Sequence, residues 1–232
     1  VSLRILEIGS YIAPAYAGMI LAEQGHVVAK WTSTTPDPML GLNRGGELWE
    51  WINFGKVVYT RPAKSITELE TGVFDAVIDN IRLSTWQSWG VDPTEQADRL
   101  GVPWVSLRDD FDGRSFDAIA QARAWGDHLG YLPVYLGDTA AGLWLAFKVL
   151  AAPPGHHVLR QAASLAKLVE GELVVTGKRT GREEPLWDEP GTYGEDEGTT
   201  RVIFKGETVR ESFRDDDWRR SNLRHVDGRY VI

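Results

Sequence analysis

The sequence contains no cysteine among its 232 residues. Disulfides, thiolate nucleophiles and cysteine-ligated metals are thereby excluded, and the composition fits a reducing, cytoplasmic setting. Any run of about 18 apolar residues is missing too, so no membrane-spanning helix is expected. Val1 to Ile8 has neither the basic flank nor the long apolar stretch of a signal peptide, which predicts a chain that is not exported. Positive charge is in short supply: 25 Lys and Arg against 33 Asp and Glu leave a formal net charge of -8. Non-specific nucleic-acid binding needs a basic face that releases counterions, and this balance argues against it. A local basic pocket for a small phosphorylated ligand stays open. No glycine pattern matches a P-loop or a dinucleotide fingerprint, because Gly9-Ser10-Tyr11-Ile12-Ala13-Pro14-Ala15 lacks the second and third glycines. The five histidines, His26, His128, His156, His157 and His225, have no ligand-type spacing, so no metal site is expected. His156-His157 reads as a polar loop at a helix start.

What is present alternates. Leu3–Ile8, His26–Trp31, Val57–Tyr59, Asp75–Asp79 and Pro103–Ser106 read as strands. Tyr16–Gln24 reads as a helix stopped by Gly25, Ser65–Glu70 as helical, and Pro93–Leu100 as a helix with proline in its first turn. Strand and helix in alternation predict an α/β fold, a Rossmann-like and mostly parallel sheet flanked by helices. Beyond residue 115 helices follow one another, at Ser115–Gly126, Thr139–Ala152 and Val158–Val169. Glu183–Glu197 holds seven acids and no Lys or Arg, and reads as a loop or partly disordered linker. Arg201–Phe204 and Arg229–Ile232 read as late strands, making a short β-rich or extended C-terminal tail. The organisation expected is one domain over 1–170, then an acidic linker and extension over 171–232. Neither repeats nor low-complexity segments occur.

The informative stretch is Val134-Tyr135-Leu136-Gly137-Asp138-Thr139-Ala140-Ala141-Gly142-Leu143. One carboxylate, Asp138, falls where a strand-like run meets a long apolar helix. Two readings apply. Asp138 caps the helix, accepting from its unpaired N–H groups; or the same position presents a carboxylate at a cleft as a nucleophile.

Several segments resemble the family III CoA-transferases, a group that includes formyl-CoA transferase, carnitine CoA-transferase and the α-methylacyl-CoA racemases. Arg4–Gly9 followed by Ala13–Ala22 is similar to the family's opening strand and helix. Asn53-Phe54-Gly55-Lys56 resembles its Asn-x-Gly-Lys turn, and Asp75–Asn80 its Asp-Val-Val-Ile-Glu-Asn strand end. Phe116-Asp117-Ala118-Ile119-Ala120-Gln121-Ala122 resembles its aromatic-Asp-x-x-x-Gln-Ala helix. Leu136-Gly137-Asp138, with the Gly142 helix behind it, is similar to the segment carrying the family's catalytic aspartate. The five occur in family order over residues 3 to about 170. Nothing from 171 to 232 resembles the family's smaller second domain with its glycine-rich loop, so the chain reads as a short variant.

The resemblance implies that Asp138 attacks an acyl-CoA thioester, that a small carboxylic acid accepts, and that coenzyme A enters as a substrate thioester with no metal. It implies CoA contacts at Ile12, Ala13, Asn80, Ile81 and Arg114, and oxyanion-stabilising backbone near Gly137 and Gly142. The family's racemases place a histidine where this chain has Phe116, which favours transfer over racemisation; His128 is the other candidate base. Basic residues that follow the second strand in the family are replaced by Thr32-Ser33-Thr34-Thr35, leaving Arg82, Arg108 and Arg114 to compensate. Ten tryptophans and long apolar helices predict a homodimer or a partner subunit. The rival expectations are a non-catalytic acyl-CoA or carrier-thioester binding subunit, and other acyl chemistry on the same scaffold.

Overall fold

Apolar residues of alternating parity on β1 (Arg4–Ile8) set up a sheet buried on both faces: Ile5 points one way, Leu6 and Ile8 the other. The computed structural model describes residues 1–33, 36–41, 43–109, 116–125 and 132–175, with short strands at 195–196, 199–200, 202–204, 207–210, 224–226 and 229–231. It divides into two compact units, Val1–Arg114 with Thr139–Arg160, and Ser115–Asp138 with Gln161–Ile232. That division interleaves along the chain where the sequence suggests one break at 170.

In the first unit β1 is followed by α1 (Ile12–Glu23), β2 (Val27–Thr32), α2 (Asn43–Asn53), β3 (Val57–Thr60) and β4 (Ala76–Asp79). Then come α3 (Leu83–Ser88), α4 (Pro93–Leu100), β5 (Pro103–Arg108), and, after the second unit's first segment, β6 (Gly155–Arg160). All six strands are parallel, in the order β3-β2-β1-β4-β5-β6. This is the doubly wound Rossmann-type order, as the alternation predicts. One face packs Ile5, Val28, Ile78, Val105 and Leu107 against α1 and residues 141–149. The other packs Leu6, Trp31, Val77 and Trp104 against a 3₁₀ turn at Ala63–Glu68, α3 and α4. The Trp86 and Trp104 rings meet edge to face, centroids 5.7 Å apart, worth about 0.5–1.5 kcal/mol beyond their burial. The N-terminus of α4 is built as its sequence suggests: Asp92 caps it, accepting from the Thr94 N–H at 2.8 Å, Pro93 opens it, and Gly101 ends it left-handed.

In the second unit α5 (Asp117–Trp125) and α7 (Gln161–Val175) stand with the first residues of α6 (Leu136–Ala151). Its tail carries three antiparallel pairs: β7 (Glu195–Asp196) with β8 (Thr199–Thr200), β9 (Val202–Phe204) with β10 (Glu207–Arg210), and β11 (Arg224–Val226) with β12 (Arg229–Val231). Of the acidic stretch, only Glu195 and Asp196 lie within the described residues.

Three expectations change. Gly155–Arg160 is a strand and not the start of a helix, because β5 offers an unfilled edge with which all six residues pair; α7 begins at Gln161. His156 and His157 therefore sit on β6 and not in a polar loop. Helix α6 begins at Leu136, three residues earlier than expected, because a side chain from α5 caps it.

Candidate active site

Asp138 lies in the first turn of α6, half-buried. It is not the cap. Asp117, opening α5 and only 6% exposed, accepts the Gly137 N–H at 2.6 Å and the Asp138 N–H at 3.2 Å through one oxygen. Its other oxygen accepts from Gln121 Nε2, one turn along α5, at 2.6 Å. Gln121 in turn binds the chain entering α6, accepting the Leu132 N–H at 2.8 Å and donating to the Leu132 carbonyl at 2.9 Å and the Val134 carbonyl at 3.1 Å. Close packing makes this possible: a Cβ on Gly137 would come 2.8 Å from the Ala120 Cβ. With Asp117 on the backbone amides, the Asp138 side chain accepts instead from Gln161 Nε2 at 2.5 Å. Gln161, the first residue of α7, is 2% exposed.

Gly137 and Gly142, expected as backbone donors, are both tied into the local packing. The Gly137 N–H belongs to Asp117. Gly142 lies inside α6, its N–H within the helical ladder, and its missing side chain serves packing: a Cβ there would stand 2.7 Å from the Ala13 carbonyl and 3.0 Å from Tyr16 Cβ.

The first unit carries the other expected residues. Strand order reverses between β1 and β4, and in such sheets ligands bind outside the carboxyl ends of the strands at that point. Asn80 follows β4 there and clamps Ser10 after β1, accepting its N–H at 3.2 Å and donating to its carbonyl at 2.7 Å. Gly9 is required by this clamp, since its φ is +143° and a Cβ would meet Asn80 Oδ1 at 2.1 Å. Tyr11 next to it takes a left-handed φ of 66° and opens α1 without a side-chain cap, a conformation that costs a non-glycine residue about 1–3 kcal/mol. Ile12 and Ala13 are buried in the first turn of α1, so their backbone is what could face a ligand. Ile81 is half-buried and donates its N–H to Asp79 Oδ1 at 2.8 Å. Arg114 and His128 lie outside the described residues.

Two buried polar clusters support these strand ends. Glu7 on β1 accepts from Lys30 Nζ at 2.5 Å and Lys56 Nζ at 2.8 Å, with no side-chain exposure in any of the three. Lys56 also donates to the Ala15 carbonyl at 2.7 Å and to Asn53 Oδ1 at 3.0 Å. Burial acts to raise the Glu7 carboxyl, but the two ammonium groups outweigh it and hold it below its ordinary range. Burial pushes Lys56 down to about 8, against the pull of Glu7, and raises Asp37, 3.9 Å from Lys30. The Asn-x-Gly-Lys turn thus secures α1 and α2 to the sheet.

The second cluster is built on Asp79 at the end of β4. Its buried carboxylate accepts from the indole N–H groups of Trp86 and Trp104 at 3.1 and 2.7 Å, from Arg108 at 2.8 Å and from the Ser106 hydroxyl. Because Ser106 donates to Asp79, it accepts from His156 Nε2–H at 2.9 Å, and Thr94 donates to His156 Nδ1 at 3.2 Å. Arg108 is consequently committed to Asp79, whereas Arg82 is exposed.

Asp117, Gln121 and Gln161 are the residues that sequence reading gives no role. The i, i+4 spacing of Asp117 and Gln121 was a usable signal, whereas Gln161 was hidden by the misplaced start of α7. Among the described residues, no group of three His, Asp or Glu could hold a metal ion, and no helix is long and apolar enough to cross a membrane.

No protein-family model matches the sequence, and no curated protein matches it. Among solved structures, the hypothetical protein Rv3272 from Mycobacterium tuberculosis is similar with a TM-score of 0.65 at 20% identity, over 79% of this chain and 59% of its own. A CAIB/BAIF family protein from Brucella suis is similar with a TM-score of 0.64 at 17% identity, over 88% of this chain and 65% of its own. At such identities the likeness is one of fold. The chain spans 59% and 65% of the lengths of these two neighbours.

Proposed function

We propose that the chain acts as a family III CoA-transferase-like enzyme, moving CoA between a thioester and a small carboxylic acid with Asp138 as nucleophile. The observation that carries this reading is the division of labour between two carboxylates: Asp117 accepts the Gly137 and Asp138 N–H groups at the start of α6, while the half-buried Asp138 side chain accepts from Gln161. Supporting it are the ordered motifs over residues 3 to about 170 and the fold likeness to a CAIB/BAIF family protein, a name belonging to the same superfamily. The strand-order reversal, with Ile12, Ala13, Asn80 and Ile81 around it, is the region for CoA in this reading.

The chemistry runs in balanced steps. An Asp138 oxygen attacks the acyl carbonyl, the C–S bond breaks, and CoA leaves as thiolate, giving a mixed anhydride. The thiolate attacks Asp138 Cγ and expels the donor carboxylate, giving an aspartyl-CoA thioester. The acceptor carboxylate attacks Asp138 Cγ of that thioester and CoA leaves as thiolate, giving a second mixed anhydride. The thiolate then attacks the acceptor acyl carbon, the bond from that carbon to the Asp138 oxygen breaks, and acceptor-CoA and the free Asp138 carboxylate result. A carboxylate is a modest nucleophile, so holding the thioester in place supplies much of the rate. Racemisation is disfavoured because Phe116, where the racemases place a histidine, cannot exchange a proton.

The test is incubation with acetyl-, propionyl-, succinyl- and oxalyl-CoA, hydroxylamine trapping, and mass spectrometry of the peptide holding Asp138. An acyl-CoA-dependent modification there, lost in Asp138→Ala, is the expected result. Binding of CoA esters that survives Asp138→Ala, with no modification in the parent chain, would instead identify a non-catalytic thioester-binding subunit.

A further inference from the structure

We propose that Gln161 supplies the oxyanion-stabilising donor for every step that crosses the Asp138 carbonyl carbon; the inference rests on the reading of Asp138 as nucleophile. Two of the four steps take place at that carbon. When CoA thiolate attacks Cγ of the mixed anhydride, a C–S bond forms and the carbonyl pair moves onto the aspartyl oxygen. Collapse restores the carbonyl and breaks the Cγ–O bond to the donor acid, which leaves as a carboxylate. When the acceptor carboxylate attacks the aspartyl-CoA thioester, the same oxygen again carries the charge, and CoA leaves as thiolate.

The oxygen concerned needs a donor already in place, since preorganised donors are what stabilise developing charge. The Gly137 and Asp138 N–H groups are held by Asp117, and the Gly142 N–H is inside the helix. Gln161 Nε2 stands 2.5 Å from Asp138 Oδ1. Its burial at the start of α7 limits reorientation, with only 2% of its surface exposed. A carboxamide also suits the task chemically. It donates at every working pH, and it cannot take a proton from the intermediate or neutralise the nucleophile as a lysine would. The first acylation differs, because there the charge develops on the substrate's own carbonyl oxygen, away from Gln161.

This difference gives the experiment. Gln161→Met keeps the length of the side chain and removes the donor. With the same four acyl-CoA probes, rapid-quench mass spectrometry should find acylation of Asp138 within a few-fold of the parent rate. Conversion to the aspartyl-CoA thioester should be slower by about 10²–10³, the loss usual for one oxyanion donor, so the mixed anhydride accumulates. Gln161→Glu regains a donor only when its carboxyl is protonated, so its turnover should rise as pH falls, unlike that of the parent; thermal unfolding of both variants reports folding separately. Equal rates for all steps in Gln161→Met and parent, or an equal slowing of acylation and of the later steps, overturns the role of Gln161 while leaving Asp138 in place. Failure of the parent chain to be modified by any of the probes overturns the reading of Asp138, and this inference with it.

Discussion

Asp117 and Asp138 are both carboxylates beside the first turn of α6, and the structure assigns them opposite sensitivities. Replacing Asp117 with alanine removes the acceptor for the Gly137 N–H at 2.6 Å, the Asp138 N–H at 3.2 Å and Gln121 Nε2 at 2.6 Å. Hydrogen bonds to a charged group contribute about 1.5–3 kcal/mol each when removal strands a buried partner. A negative charge at a helix N-terminus adds about 0.3–1 kcal/mol. These contributions overlap, and a lost cap alone costs about 0.5–2 kcal/mol. Since Asp117 is 6% exposed and water replaces it poorly, Asp117→Ala should destabilise by about 2–4 kcal/mol. Asp138→Ala removes the acceptor for Gln161 Nε2 and a first-turn negative charge, but water can reach the half-buried site and alanine is the better helix former, so it should cost less, about 1–2 kcal/mol. Urea unfolding followed by far-ultraviolet circular dichroism separates the two, comparing midpoints at unchanged slope. The trapping assay should show the reverse ranking, with Asp138→Ala devoid of adduct. Should Asp117→Ala unfold within 0.5 kcal/mol of the parent, or Asp138→Ala prove the costlier change, the assignment of cap and nucleophile is wrong.

Other outcomes follow from the buried clusters. Gly18→Ala places a Cβ 2.1 Å from Glu7 Oε2 and 2.9 Å from Lys56 Nζ, so despite about 1 kcal/mol of improved helix propensity it should lower the urea midpoint; an unchanged or higher midpoint refutes the packing. Lys56, pushed down to about 8 from 10.5, leaves the unfolded chain holding more protons between those values, so the stability contributed by this group rises with pH across that window. The rise should be absent from Lys56→Met when midpoints are compared from pH 7.5 to 10. Asp79→Ala strands Arg108 without its buried partner and should cost about 3–5 kcal/mol, with an altered tryptophan emission because Trp86 and Trp104 both donate to that carboxylate. No change in emission would argue against the contact.

Legibility varied with how locally each element is determined. The buried parallel strands announce themselves through runs such as Ala76-Val77-Ile78, and α4 through Asp92, Pro93 and Gly101, since caps and turns act within a few residues. Strand β6 is different. Gly155-His156-His157-Val158-Leu159-Arg160 has little strand character of its own and becomes a strand because β5 lies open beside it. Helix α2 went unread because Gly45 and Gly46 lower its propensity while neighbouring structure sustains it. At the site, Asp138 stood out by position, but the side chain that caps α6 comes from 20 residues upstream, and the one that meets Asp138 from 23 downstream. Neither distance leaves a mark in a local pattern.

The Asn80–Ser10 clamp has a consequence for how the protein is made. Its two halves lie 70 residues apart, and β1 must find β4 across the same interval. At about 5–20 residues per second of synthesis, the first strand waits roughly 4–14 s for its central neighbour to exist. During that wait Ile5, Leu6 and Ile8 have nothing to pair against on that side, so β1 is a segment for nascent-chain chaperones to cover until β4 is made.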